Sequence, residues 1–311
     1  MVMRILTATM PARRPKIWAA AFCFSLAAAF TASAVEIETW RGPVEVAGPP
    51  ERIAVFDIAA IDTIDALGVP ITGAPNYLYL DWLEQSLTVE AEVGDIFEPD
   101  LEALNALNLD LIVVGGRSYD QLDSVARVAP SIDMTIWGLD LIDQARSRIA
   151  AYGALFEKEA AAAELLSALD AKVNEARDAA LGKGDALIVM TNGPKISVFG
   201  ADSRFGWMHD VLGVPAAVAD DDPGVHGAAA SFELIAKVDP DWLLVVDRAA
   251  AIGSSEQNAR ATLDNAVMQG VDAWTSGRVI YLPSGDLYIA AGGARATINV
   301  LDAVIDGYSG R

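Results

Sequence analysis

Asp100-Leu-Glu-Ala-Leu-Asn-Ala-Leu-Asn-Leu-Asp-Leu-Ile-Val-Val-Gly-Gly-Arg117 has a counterpart 131 residues further along, Ser231-Phe-Glu-Leu-Ile-Ala-Lys-Val-Asp-Pro-Asp-Trp-Leu-Leu-Val-Val-Asp-Arg248. With that single offset Glu102 falls on Glu233, Asp110 on Asp241 and Arg117 on Arg248. Each copy reads as a short helix with an acidic start, a turn, an apolar strand and an arginine just past the strand's carboxyl end. An internal repeat of this size marks two similar halves. Ligands of open α/β sheets bind in the crevice at the carboxyl ends of the strands. Two such halves set face to face would aim both arginines into one cleft.

The rest of the chain fits that plan. Apolar, β-branched runs recur at 52–56, 111–114, 186–190, 242–246 and 279–282. Their continuous apolarity suits parallel strands buried on both faces. A helical pattern from Ala59 to Leu67 ends at Gly68-Val69-Pro70. The middle differs: from Leu139 to Leu181 there is no proline, and Gly153 is the only glycine. Glu157 to Leu181 alone predicts a helix about 37 Å long. The organisation expected is therefore α/β throughout. A lobe over 35–138 and a lobe over 183–311 are joined by a rigid helical spine over 139–182, with the ligand cleft between them.

The first 34 residues carry Arg4, Arg13, Arg14 and Lys16 ahead of an apolar run from Ile17 to Phe30, which ends at Thr31-Ala32-Ser33-Ala34. That is the pattern of a cleavable export signal, with cleavage expected after Ala34 and the product in the periplasm. The one cysteine, Cys23, lies inside this segment, so no thiolate metal site or disulfide is expected beyond it. The chain has a net charge of −21, and without the four basic signal residues the remainder stands at −25. Such a surface repels nucleic acid and anionic lipid. An anion pocket within it needs a local cluster of arginines working against the global field.

The motifs Pro99-Asp-Leu-Glu-Ala-Leu, Leu109-Asp-Leu-Ile-Val-Val and Asp239-Pro-Asp-Trp-Leu-Leu-Val-Val resemble those of the iron-siderophore and vitamin B12 binding proteins of ABC importers. The resemblance runs from about Arg52 to Val304. Within that family the chain is most similar to the catecholate-siderophore binders, through Gly115-Gly-Arg117, Asp202-Ser-Arg204, His226-Gly227, Asp247-Arg248 and Asp286-Leu-Tyr288. It implies a monomeric binding protein that is not an enzyme and has no intrinsic cofactor. Its cargo would be Fe(III) held as a siderophore complex, passed to an inner-membrane permease.

The resemblance also assigns roles. Arg117, Arg204 and Arg248 would clamp the anionic chelate, because guanidinium stays charged, forks toward oxygen anions and stacks on rings. His226 and Tyr288 would ligate Fe(III) directly when the siderophore supplies only four donors. Glu102 and Glu233, one per lobe, would meet the permease. Among the aromatics, Tyr77, Tyr79, Trp82 and Trp137 are candidates to line the cleft, of which Tyr77 and Trp137 are carried forward as ligand-binding. Arg127, Arg146, Arg148 and Arg177 sit in helical stretches and read as solvated, and His209 as structural.

Other cargoes compete. Haem would also suit a Tyr or His ligand, whereas cobalamin and neutral hydroxamates give little reason for three arginines. Two histidines cannot build a His-rich zinc receptor. An exported hydrolase is disfavoured, since no nucleophile elbow, H-E-x-x-H or P-loop motif is present.

Overall fold

The computed structural model describes residues 34–218 and 226–310, with the side chains of 226–228 outside the described set. The expected export signal and Cys23 therefore lie outside the described residues. The chain opens with an antiparallel hairpin, β1 (Ala34–Thr39) and β2 (Gly42–Ala47). The first lobe follows as β3 (Ile53–Val55), α1 (Ile58–Ala66), β4 (Ile71–Ala74), α2 (Asp81–Ser86), β5 (Val89–Glu92), α3 (Leu101–Ala106), β6 (Leu111–Val114), α4 (Leu122–Val125) and β7 (Ser131–Asp133). Its sheet has the order β5-β4-β3-β6-β7 and every pair is parallel.

Two helices come next, α5 (Leu141–Leu155) and α6 (Glu159–Ala180). The second lobe comprises β8 (Ala186–Asn192), β9 (Lys195–Phe199), α7 (Trp207–Asp210), β10 (His226–Ala230), α8 (Phe232–Val238), β11 (Trp242–Asp247), α9 (Arg248–Ala251), α10 (Ala259–Leu263), α11 (Asp272–Thr275), β12 (Val279–Tyr281), α12 (Ser284–Tyr288) and α13 (Ala294–Ser309). Its sheet runs β10-β9-β8-β11-β12. The three strands with fully apolar runs, β8, β11 and β12, are mutually parallel, while β9 and β10 turn back antiparallel at the edge.

The repeat holds in three dimensions. Asp110, just before β6, accepts the backbone amides of Glu51 and Arg52, which lead into β3. Asp241, just before β11, accepts the amide of Asp185, which leads into β8. Both helices of the repeat are capped by side chains: Asp100 accepts from the amides of Glu102 and Ala103, and Ser231 accepts from that of Leu234. Such caps each contribute about 1 kcal/mol.

Alternation along the central strands explains why they need no polar residue. Ile53, Val55, Leu111 and Val113 face one core, while Ala54, Phe56, Ile112 and Val114 face another under α3 and α4. In the second lobe Ile188, Leu244 and Val246 face the first of these cores, and Leu187, Val189, Leu243 and Val245 face a third. The first core is common to both lobes. It includes the α6 stripe Ala162, Leu169, Val173, Ala176 and Ala180, together with Val300, Leu301 and Val304 of α13.

The chain reverses between α5 and α6 at Phe156–Lys158, where Glu157 takes a left-handed φ of 55°. The expected helix over 157–181 is thus α6, 22 residues long. α13 closes the assembly from the second lobe onto α1 of the first. The amide of Ala294 donates to Thr63 Oγ1 at 3.1 Å and that of Ala296 to Asp62 Oδ2 at 2.9 Å. Arg295 adds ion pairs to Asp62 and Asp65, each at 2.7 Å.

One expectation is corrected. Arg148 is not solvated but buried, donating to the carbonyls of Met134, Glu38 and Thr135 at 3.2, 2.6 and 3.1 Å. Helical spacing cannot reveal that strand-end carbonyls converge on one face of α5. Arg146 does lie at the surface, paired with Asp143 and Asp170.

Candidate functional site

In each sheet the strand order reverses between two neighbouring parallel strands, β3 and β6 in one and β8 and β11 in the other. Crevices open at such switch points. Asp57 follows β3 and Arg117 follows β6; Asn192 ends β8 and Arg248 follows β11. The site is built on these four chain ends and completed by Arg204 and Tyr288.

Arg117 is presented by Gly115-Gly116. A Cβ on Gly115 would stand 2.9 Å from Asp57 Oδ2 and 3.0 Å from the Thr135 amide, and Gly116 has φ +55°. The tight turn therefore requires glycine, and Ser118 closes it by hydrogen-bonding both the amide and the carbonyl of Gly115. The Arg117 guanidinium donates through Nη2 to the Tyr288 carbonyl at 2.9 Å, and its Cζ lies 4.7 Å from the Tyr288 ring centroid. Its Nε is buried and has no partner among the described residues.

Arg248 reaches the same tyrosine from the other lobe. Its Nε donates to the Tyr288 hydroxyl at 2.8 Å and its Nη1 to Asn192 Oδ1 at 3.0 Å. Arg204, on the turn after β9, has its Cζ 4.9 Å from the Tyr288 ring and 5.0 Å from that of Phe205. Three cations thus surround one phenol. Burial opposes ionisation of Tyr288, but the Arg248 hydrogen bond and the charges of Arg117 and Arg248 outweigh it, and its pKa lies below the ordinary tyrosine value. Burial also lowers the pKa of Arg204; the Tyr288 phenol opposes this and the Arg117 charge adds to it. Much of the Arg204 side chain is still exposed, and guanidinium remains charged in proteins.

None of Arg117, Arg204 or Arg248 forms an ion pair with a carboxylate among the described residues. In so acidic a chain, three such unpaired cations close together stand out. The space beside them is a cavity of about 270 Å³ lined by Arg117, Arg204, Tyr288, Asp57, Phe97 and Trp137 among others. A neighbouring one of about 270 Å³ shares Trp137 and Arg204. Trp137 is 67% exposed and forms part of the lining of both.

Tyr77 is not among the residues lining these two cavities; its ring packs on Tyr79 at 4.4 Å and its hydroxyl approaches Gly253. Tyr79 is the one within electrostatic reach of Arg117. Trp82 is structural, donating to Asp286 Oδ1 and lying under Arg295. His226 opens β10 opposite Phe199, and its side chain lies outside the described residues. His209 is buried against the Val214 carbonyl. Glu102 and Glu233 sit in the exposed first turns of α3 and α8, where the helix dipole favours a carboxylate.

Sequence reasoning did not single out Asp57, Phe97, Tyr119 or Asn192. Asp57 follows a strand end just as Arg117 does, and that position was a legible signal. Burial raises its pKa to about 6, against the pull of the Ala59 and Ala60 amides and the Arg148 charge, with the Asp133 charge adding to the rise. Among the described residues no cluster of His, Cys, Asp and Glu is arranged to hold a metal ion, and no helix is long and apolar enough to cross a membrane.

Comparison with known proteins agrees with this fold. The chain is 32% identical over 263 residues to the petrobactin-binding protein YclQ of Bacillus subtilis, covering 83% of this chain and 82% of that one. The crystal structure of YclQ superposes with a TM-score of 0.79, covering 89% of this chain and 99% of that one at 30% identity. The ferric-anguibactin-binding protein FatB of Vibrio anguillarum is 29% identical over 284 residues, 88% of this chain and 87% of that one. The periplasmic catecholate-siderophore binding protein VctP of Vibrio cholerae superposes with a TM-score of 0.79 at 28% identity, covering 88% of this chain and 99% of that one. The sequence profile of the periplasmic binding proteins matches residues 53–285. The chain belongs to the periplasmic binding protein family.

Proposed function

We propose that the protein captures a ferric siderophore of the catecholate type and delivers it to an ABC transporter permease for iron uptake. The observation that carries this reading is the convergence of Arg117, Arg204 and Arg248, none paired with an acid, on Tyr288. A ferric tris-catecholate presents three negative charges and aromatic faces, which match three guanidinium groups and the Trp137 ring. Tyr288, already biased toward phenolate, and His226 complete the iron shell when the chelator supplies four donors. The iron arrives as cargo and no resident cofactor is required.

In this reading the lobes span 35–138 and 183–311, joined by the spine at 139–182. A leader is removed after Ala34 and the mature protein works as a periplasmic monomer. Glu102 and Glu233 dock on the permease, and binding is the protein's whole task, without catalysis. Titration of tryptophan fluorescence with a ferric tris-catecholate tests the clamp. Arg117→Ala, Arg204→Ala and Arg248→Ala combined are expected to weaken binding by at least a hundredfold. Unchanged affinity refutes the clamp.

A further inference from the structure

β8 and β9 form a hairpin in which Asn192 lies opposite Lys195 and Met190 opposite Ser197. Strand alternation places these four on one face. On the other face Thr191, Ile196 and Val198 are buried. The first face borders a cavity of about 490 Å³, which Phe232 and Arg248 also line. Arg248 therefore belongs to two compartments: its Nε is on the Tyr288 hydroxyl, while its Nη1 is held by Asn192 at this second cavity. The hairpin tip is tied down, because the Gly193 carbonyl accepts the Thr262 hydroxyl at 2.8 Å in a buried bond. Gly193 itself is left-handed at φ +56°, a backbone conformation that favours glycine. Lys195 is exposed on this anchored turn and, like Arg248, has no carboxylate partner among the described residues.

We infer that the cavity under the β8–β9 hairpin is a second ligand compartment that takes a carboxylate-bearing arm of the chelate, with Lys195 and Arg248 as its counter-charges. The inference rests on the proposed function and names the cargo more closely, as a siderophore that carries a carboxylate besides its iron donors. One ammonium and the guanidinium N–H groups of Arg248 that Tyr288 and Asn192 leave free match the two oxygens of a carboxylate. Met190 and Phe232 meanwhile cover the methylenes that link such an arm to the iron core.

The test uses two synthetic ferric complexes with one bis-catecholate core, differing only in a carboxylate or a carboxamide on the linker. Both are titrated by fluorescence quenching into the native chain, Lys195→Ala and Lys195→Arg. The native chain and Lys195→Arg are expected to prefer the carboxylate probe by about tenfold, and the preference is expected to shrink as salt rises. Lys195→Ala is expected to lose most of that preference. Equal affinity of the native chain for both probes, or equal losses of both in Lys195→Ala, overturns the second compartment and leaves the proposed function standing. Failure of both probes to bind the native chain overturns the proposed function and the second compartment together.

Discussion

Asp57→Asn is expected to make the protein more stable at neutral pH, and the size of the gain follows from the site. Asp57 is buried beneath Gly115 and Gly116, and its pKa is raised from 3.8 to about 6. A carboxyl whose folded pKa is raised contributes stability that is fully present below pH 3.8 and is lost as pH rises through 6. Above both values the ionised group destabilises the fold by about 3 kcal/mol. Asparagine has no proton to lose, and it serves as well as aspartate at the residue preceding α1. Urea unfolding at pH 7.5 is expected to show Asp57→Asn more stable by about 3 kcal/mol, with the melting temperature up by roughly 6 °C or more. At pH 3.5 the two proteins are expected to coincide. If the variant is instead less stable at pH 7.5, the charge of Asp57 pairs productively with Arg148 and the burial argument fails. The same substitution removes a negative charge from the lining of the anion cavity, so affinity for a ferric catecholate is expected to rise.

Tyr288 is expected to titrate below the other tyrosines; ultraviolet difference spectra against pH would show this as an early phenolate band absent from Tyr288→Phe, and identical curves would refute it. Gly115→Ala forces a Cβ against Asp57 and the Thr135 amide, so Arg117 is displaced; affinity is expected to fall at least tenfold and stability by about 1–3 kcal/mol, and unaltered binding would show the turn to be permissive. Arg295→Ala leaves the buried Asp62 without its cation and is expected to destabilise the fold by about 3–5 kcal/mol in urea unfolding, with Asp62→Asn in the same chain recovering part of the loss. Glu102→Ala with Glu233→Ala is expected to leave ligand affinity unchanged while reducing uptake in cells; full uptake would remove the docking role.

The strands and the repeat were readable because burial on both faces leaves a chemical trace: runs such as Leu111–Val114 and Trp242–Val246 carry no polar residue. The arginines at the strand ends were readable for the same reason, since a repeat that preserves Arg117 and Arg248 also preserves where their strands end. Arg204 entered only through resemblance, for nothing local distinguishes it from a surface arginine. Long-range partners were not legible. Arg148 looks solvated until Glu38, Met134 and Thr135 turn their carbonyls toward it. The β8–β9 hairpin was not singled out from the sequence, and only its register reveals that Asn192 and Lys195 share a face with Met190.

In the proposed role, the interior shared by the two lobes bears on how a membrane partner could tell the loaded protein from the empty one. Halves that are welded by α6 and by the docking of α13 on α1 cannot report a full cleft with a wide swing. In the proposed role, the loaded and empty proteins would offer a membrane partner nearly the same outline. Discrimination would then fall to slight adjustments and to the cargo's own surface at the mouth. Unloading would require the partner to prise apart a fused body or to screen the three guanidinium charges, so the work of release would sit with the transporter.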